Sequence, residues 1–259
     1  MNMEVKVSSL VKAYPKGEKV LKGIDLMIKK GDFFALIGPN GAGKTTLVRI
    51  LTSLIAKDSG EFTIGNKNNQ NDFFEIHKYI GVVSQENQLD PTETLENHLK
   101  FQGRLFSLSK EASEKRTSEL IKIFKLVKEK NKKVNELSGG NKRRLHCALA
   151  LVHEPKILFL DEPTVGMDPL VRENFWQIIT ELNQKDGITI FLTTQYLDEV
   201  DKYANEMALL INGEIHYSGS VEAFKESLKD SANISVEEQY LDYIKQLNLK
   251  EAYIYENSK

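Results

Sequence analysis

"GPNGAGKTT", residues 38–46, follows the short apolar run "DFFALIG" and opens a helical pattern that starts at Lys44. A strand ending at glycine, a tight turn and a helix is the setting in which G-x-x-x-x-G-K-[ST] carries chemistry. Gly38, Pro39, Asn40, Gly41, Ala42, Gly43, Lys44, Thr45 and Thr46 form the candidate phosphate-binding set. The glycines let backbone N–H groups close around phosphate oxygens. Lys44 can reach the β- and γ-phosphates as a point charge. The Thr45 hydroxyl can ligate Mg²⁺, and the helix N-terminus adds a favourable field. The loop implies a nucleotide and leaves open which class of nucleotide-using protein holds it.

Outward from this loop the chain divides by pattern. From Glu4 to about Lys30, short β-branched and apolar runs split by "YPKGE" and "LKG" predict antiparallel strands. The Asn-rich "GNKNNQND", residues 65–72, reads as a solvated turn, and "YIGVVSQ", residues 79–85, as a strand. From about Glu93 to Val134 the chain turns helical and charged. Glutamates are interspersed among the lysines there, which makes a solvated face a better reading than a nucleic-acid patch. A helix is expected over 139–153, then the strand "KILFL", a helix through "LVRENFWQIITELN", the strand "ITIFLTT" and a small α/β tail. Strands alternating with helices imply an α/β fold with a mostly parallel core sheet.

Composition sets bounds. The 259 residues suffice for one large domain or two small ones, and 41% hydrophobic content can build a core. A formal net charge of −2 gives no support for a nucleic-acid partner. Cys147 is the single cysteine, so no internal disulfide or cysteine metal cluster can form, and a reducing compartment is expected. Free cysteines are usually buried, and Cys147 reads as a small apolar core residue. The charged N-terminus lacks the apolar core of a signal peptide. Stretches such as "MALLI" fall far short of the roughly 20 residues a spanning helix needs.

"KILFLDEP", residues 156–163, adds two carboxylates at the end of an apolar strand, where sites of α/β proteins lie. Asp161 is placed to hold Mg²⁺ through its water shell. Glu162 can point at the γ-phosphate and polarise an attacking water.

"ELSGGNKRRL", residues 136–145, decides between nucleotide-using families. With it, the chain resembles the ATP-binding subunits of ABC transporters, P-loop NTPases with an N-terminal antiparallel β region and a helical subdomain. Ser138, Gly139 and Gly140 match the family's signature, a hydroxyl and bare amides at a helix N-terminus. The resemblance implies that this second anion site faces the nucleotide of a partner subunit, so that two ATPs are sandwiched in a head-to-tail pair, which can be a homodimer. Asn141 stands where glutamine is usual. Tyr14 matches the aromatic that stacks on adenine. Gln85 matches the glutamine that senses Mg²⁺, and Asp168 in "VGMDPL" the interface aspartate. The match spans nearly the whole chain as one nucleotide-binding domain, 1–259. Its core and β region are expected over 1–88 and 146–220, the helical subdomain over 89–145 and a tail over 221–259.

Gln195, in "FLTTQYLDEV", falls where most such ATPases carry histidine. A glutamine can donate and accept hydrogen bonds but cannot become cationic or shuttle a proton. The surrounding "LTTQYLDEVDKYANEMALLINGEI" resembles the bacterial drug-resistance exporter ATPases of the daunorubicin-resistance group, in which Gln occurs here. By this resemblance Lys44, Glu162 and Gln195 are the catalytic residues, and Thr45, Gln85 and Asp161 the Mg²⁺ ligands. The chain is then expected at the cytoplasmic face of the membrane, driving a separate transmembrane permease as an exporter. An importer ATPase or a soluble ABC ATPase acting on ribosomes or DNA is the alternative. In the tail, "SVEEQYLDYI" resembles a short segment of drug-exporter ATPases, with Tyr240 where Phe is usual. It also reads as an ordinary amphipathic helix on the core.

Overall fold

The computed structural model describes residues 3–15, 17–68, 71–85, 89–227 and 234–257. Two long strands, β1 (Met3–Ala13) and β2 (Lys19–Lys29), pair antiparallel as the N-terminal pattern predicts. Then come β3 (Phe33–Ile37), α1 (Lys44–Leu51), β4 (Ser59–Ile64), β5 (Lys67–Asn68), α2 (Phe73–Tyr79) and β6 (Ile80–Val83). The helical region holds α3 (Leu95–Leu105) and α4 (Lys110–Ile123), each capped by a hydroxyl, from Thr94 and Ser109. The rest is α5 (Gly139–Ala150), β7 (Ile157–Asp161), α6 (Pro169–Asp186), β8 (Thr189–Thr193), α7 (Leu197–Tyr203), β9 (Glu206–Ile211), β10 (Glu214–Ser220), α8 (Val221–Glu226) and α9 (Val236–Asn257). The helix expected over 139–153 thus stops at Ala150, and it runs unbroken across the boundary expected at 145/146.

Strands form two sheets, β2-β1-β4-β5 and β10-β9-β3-β8-β7-β6. In the second, β9, β3, β8, β7 and β6 run parallel and only β10 is antiparallel. Every residue of β3, β7 and β8 is buried. That is why these segments are continuous apolar runs rather than alternating ones: helices or strands cover both faces. The expected solvated turn at 65–72 holds more order than its asparagines suggest. Gly65, at φ 59, closes a hairpin in which Thr63 pairs with Asn68 and Ile64 with Lys67.

Leu47, Val48, Ile50 and Leu51 of α1 pack with Leu21, Ile24 and Phe191 on one side of the main sheet. Trp176 and Phe175 of α6 pack with Phe33 and Cys147 on the other. Cys147 is fully buried, and burial pushes its thiol up to about 12, so it is the inert core residue expected. Around α9, Val236 and Phe224 are buried with Tyr240, Tyr243, Ile244 and Leu247 packed against them. "SVEEQYLDYI" is therefore an amphipathic helix docked on the core, its start fixed by the Ser235–Glu238 pair.

The consequence for the site is positional. β3, β8 and β7 are adjacent and parallel, so Ile37, Thr193 and Asp161 end at one edge of the sheet.

Candidate functional site

The loop between β3 and α1 is built on glycine. A Cβ at Gly38 would lie 2.0 Å from the Leu210 carbonyl oxygen, so no side chain fits. Gly43, at φ 111, has Leu21 Cδ2 2.8 Å from where its Cβ would be. Lys44 is buried, and its ammonium donates to the carbonyls of Gly38 (2.8 Å) and Pro39 (3.1 Å). The loop thus wraps its own cation. Burial lowers the pKa of Lys44 while Glu162 and Asp161 pull it back up, leaving a charge that an anion would stabilise.

In front of this loop lies a cleft of about 570 Å³. Tyr14, Asn40, Gly41, Gly43, Lys44, Thr45, Thr46, Gln85, Glu162, Val165 and Gln195 line it. Residues far apart in sequence therefore meet as the motifs suggest. Tyr14 is 42% exposed, leaving a ring face for stacking, and its hydroxyl is 3.5 Å from Thr46 Oγ1. Gln195 is exposed in the cleft just past the end of β8.

The two carboxylates are held differently. Asp161 is buried at the end of β7 and accepts from Thr45 Oγ1 (3.3 Å) and from the Thr193 hydroxyl on the same Oδ1. Glu162 has φ 47, a left-handed backbone that costs a non-glycine residue about 1–2 kcal/mol. Its N–H donates to Thr193, at the carbonyl (3.0 Å) and the hydroxyl (3.2 Å), which holds the kink. Neighbours on a strand point to opposite faces. The kink breaks that alternation, so Glu162 lines the cleft while Asp161 reaches Thr45. Gln85 Nε2 donates to Glu162 Oε2 at 3.3 Å. Thr45, Asp161 and Gln85 offer hydroxyl, carboxylate and amide oxygens, hard donors of the kind Mg²⁺ takes together with phosphates and waters. The residues present fit that ion.

Arg143 was not among the expected site residues, yet it supports the acidic pair and the strand end before Gln85. It is buried, and its guanidinium donates to four carbonyls: Ser84 (2.5 Å), Asp161 (3.1 Å), Glu162 (3.1 Å) and Pro163 (2.7 Å). The helix carrying the signature is thereby bolted to the backbone of the acidic pair and to the strand end before Gln85. A fork of fixed donors makes this possible where a lysine could not. Nothing in the local sequence marks Arg143 apart from the adjacent Arg144.

Ser138, Gly139, Gly140 and Asp168 do not line the cleft. Ser138 caps α5, accepting from the Asn141 N–H at 3.3 Å, and Asp168 caps α6, accepting from the Val171 N–H at 3.0 Å. The signature glycines differ. Nothing lies within 4 Å of a Cβ at Gly139, whereas one at Gly140 would meet Val171 Cγ1 at 2.6 Å. Gly140 is needed so that α5 can pack on the start of α6.

Residues 21–165 match the family described as ABC transporter. The chain is 35% identical over 211 residues to the linearmycin resistance ATP-binding protein LnrL of Bacillus subtilis, covering 82% of this chain and 67% of that protein. It is 37% identical over 231 residues to the doxorubicin resistance ATP-binding protein DrrA of Mycobacterium tuberculosis, covering 89% and 70%. Among solved structures, the dimeric post-hydrolysis state of the ATP-binding cassette MJ0796 with ADP and Pi matches with a TM-score of 0.76 and 31% identity, over 84% of this chain and 98% of that one. On these matches the chain belongs to the ABC transporter family, as one of its ATP-binding subunits.

Proposed function

We propose that this subunit hydrolyses MgATP to ADP and phosphate and thereby drives export through a separate membrane subunit. The observation that carries the reading is the convergence of Lys44, Gln85, Glu162 and Gln195 on one cleft. The loop amides and Lys44 bind the β- and γ-phosphates of ATP, and Tyr14 stacks on the base. Thr45, Asp161 and Gln85 would hold Mg²⁺, which would supply positive charge to offset that of the phosphates. Glu162 accepts the proton of the attacking water. Gln195 donates an N–H to the γ-phosphate and keeps the water in line, as a neutral donor in a place where histidine is usual.

Ser138 and Asp168 lie exposed outside the chain's own cleft. That placement supports a head-to-tail pair in which each copy's signature closes over the other's ATP. A groove of about 590 Å³ lined by Leu89, Asp90, Glu93, Asn97, His98 and Phe101 lies on the helical region, and Phe101 is 63% exposed within it. This groove is where the permease docks, so that closing and reopening of the ATPase pair moves it. Among the described residues no helix is long and apolar enough to cross a membrane. The export direction rests on the resistance systems named for the relatives.

The test is a pull-down of tagged Glu162→Gln protein from native membranes with MgATP. Capture of a multi-spanning protein without its own ATPase domain is expected. Capture of ribosomal or nucleic-acid partners in its place would overturn the transport reading.

A further inference from the structure

Glu199 on α7 is 1% exposed, and no step above uses it. Its carboxylate accepts three side-chain hydrogen bonds. Thr164 Oγ1 (2.5 Å) and Trp176 Nε1 (2.9 Å) donate to Oε1, and Thr194 Oγ1 (2.7 Å) donates to Oε2. A buried carboxylate is costly unless such donors satisfy it. Burial raises the pKa of Glu199, while its three donors, and Arg172 at longer range, pull it back.

The donors come from three places that matter. Thr164 is two residues after Glu162, Thr194 immediately precedes Gln195, and Trp176 lies on α6, whose N-cap is Asp168. The segment bearing Gln195 is pinned twice more. Thr194 Oγ1 also accepts from the Tyr196 N–H (3.0 Å), and the Tyr196 carbonyl accepts from the Glu199 N–H (3.2 Å). The residues on both sides of Gln195 are thus tied to Glu199, while the Gln195 side chain stays in the cleft.

We infer that Glu199 is a positioning residue for hydrolysis: one oxygen fixes the segment after Glu162 and the other fixes the residue before Gln195, so the two groups keep their spacing across the cleft. The inference rests on the roles proposed above for Glu162 and Gln195. Among the described residues no hydrogen bond links Glu199 to the phosphate loop or to Tyr14, so loosening it should change turnover far more than nucleotide affinity. A buried network that served only the core would do the reverse of this, changing stability and sparing turnover.

The experiment uses the purified full chain and two near-isosteric changes, Thr194→Val and Thr164→Val, each deleting one arm of the node. kcat and KM for ATP hydrolysis are measured well below the melting temperature, and binding is followed with trinitrophenyl-ATP. Each variant is expected to lower kcat by about 5–30-fold, the scale of one buried hydrogen bond, with probe affinity within about twofold. Glu199→Gln, which keeps the shape and an acceptor, should retain more turnover than Glu199→Ala. In a Gln195→Ala background, Thr194→Val should add less than about twofold, because the group it positions is gone. A fall in melting temperature with unchanged kcat in both valine variants overturns the inference, as do fully additive losses in the double variant. If Gln195→Ala itself has no effect, the proposed role of Gln195 fails instead, and Thr164→Val still decides whether Glu199 acts through Glu162.

Discussion

Gln85 Nε2 lies 3.3 Å from Glu162 Oε2, so the side chain expected to ligate Mg²⁺ is holding the one expected to accept the proton from water. One amide can serve both, its nitrogen toward Glu162 and its oxygen toward a metal. Gln85→Ala should therefore raise the Mg²⁺ concentration needed for half-maximal hydrolysis. Glu162→Gln should lower kcat by about 10²–10⁴ and leave that concentration unchanged. Titrating hydrolysis against Mg²⁺ for both variants checks this.

At Gln195 the prediction concerns pH as well as rate. Gln195→Ala should lower kcat by about 10²–10³, the usual loss for a donor acting on developing charge. Gln195→His should keep much of the rate and add a new limb to the pH–rate profile near the imidazole's ordinary value of about 6.5. A wild-type profile that already shows that limb would contradict the neutral-donor role.

Arg143 satisfies four backbone carbonyls from a buried position. Arg143→Met leaves those carbonyls without a donor and should cost about 2–4 kcal/mol of stability. Arg143→Lys should recover only part of that, because one ammonium cannot span four acceptors. Urea midpoints measured beside kcat for both variants give the comparison, and equal stability of Lys and Arg would refute the clamp.

His146 gives a stability signal in acid. Burial first, then the nearby Arg143 cation, push its imidazole down to about 4. In the unfolded chain it titrates near 6.5. A folded value below the unfolded one means the stabilising share is complete above about pH 6.5 and is lost as pH falls toward 4. Linkage makes that share about 3 kcal/mol. Burial pushes His153 down too, in the same sense. Stability of His146→Gln should fall less between pH 7 and pH 4.5 than that of the wild type, a difference that cancels the common carboxylate contribution.

Much of this site could be read from the chain because its parts are contiguous. The phosphate loop, the acidic strand end and the signature each occupy a few consecutive residues, and local turn or cap chemistry fixes each one. What escaped the sequence was set by distant partners. Arg143 meets Ser84 across 59 positions and Pro163 across 20, and no local pattern announces a guanidinium that serves carbonyls. Glu199 looks like one more acidic residue in the first turn of a short helix until Trp176 and Thr164 arrive from other segments. The kink at Glu162 is invisible for a related reason, since Thr193 on the neighbouring strand enforces it. Asp168 is a gentler case. An aspartate followed by proline is a helix-start signal, and the structure gives it that capping job alongside the proposed interface role.

Val171 against Gly140 joins two motifs that the chain encodes separately. The residue whose N–H Asp168 caps is also the residue on which the signature helix rests. In genetic terms the two behave as one locus. A bulky allele at 140 should be repaired by trimming 171, so that second-site suppressors of such an allele are expected at the head of α6.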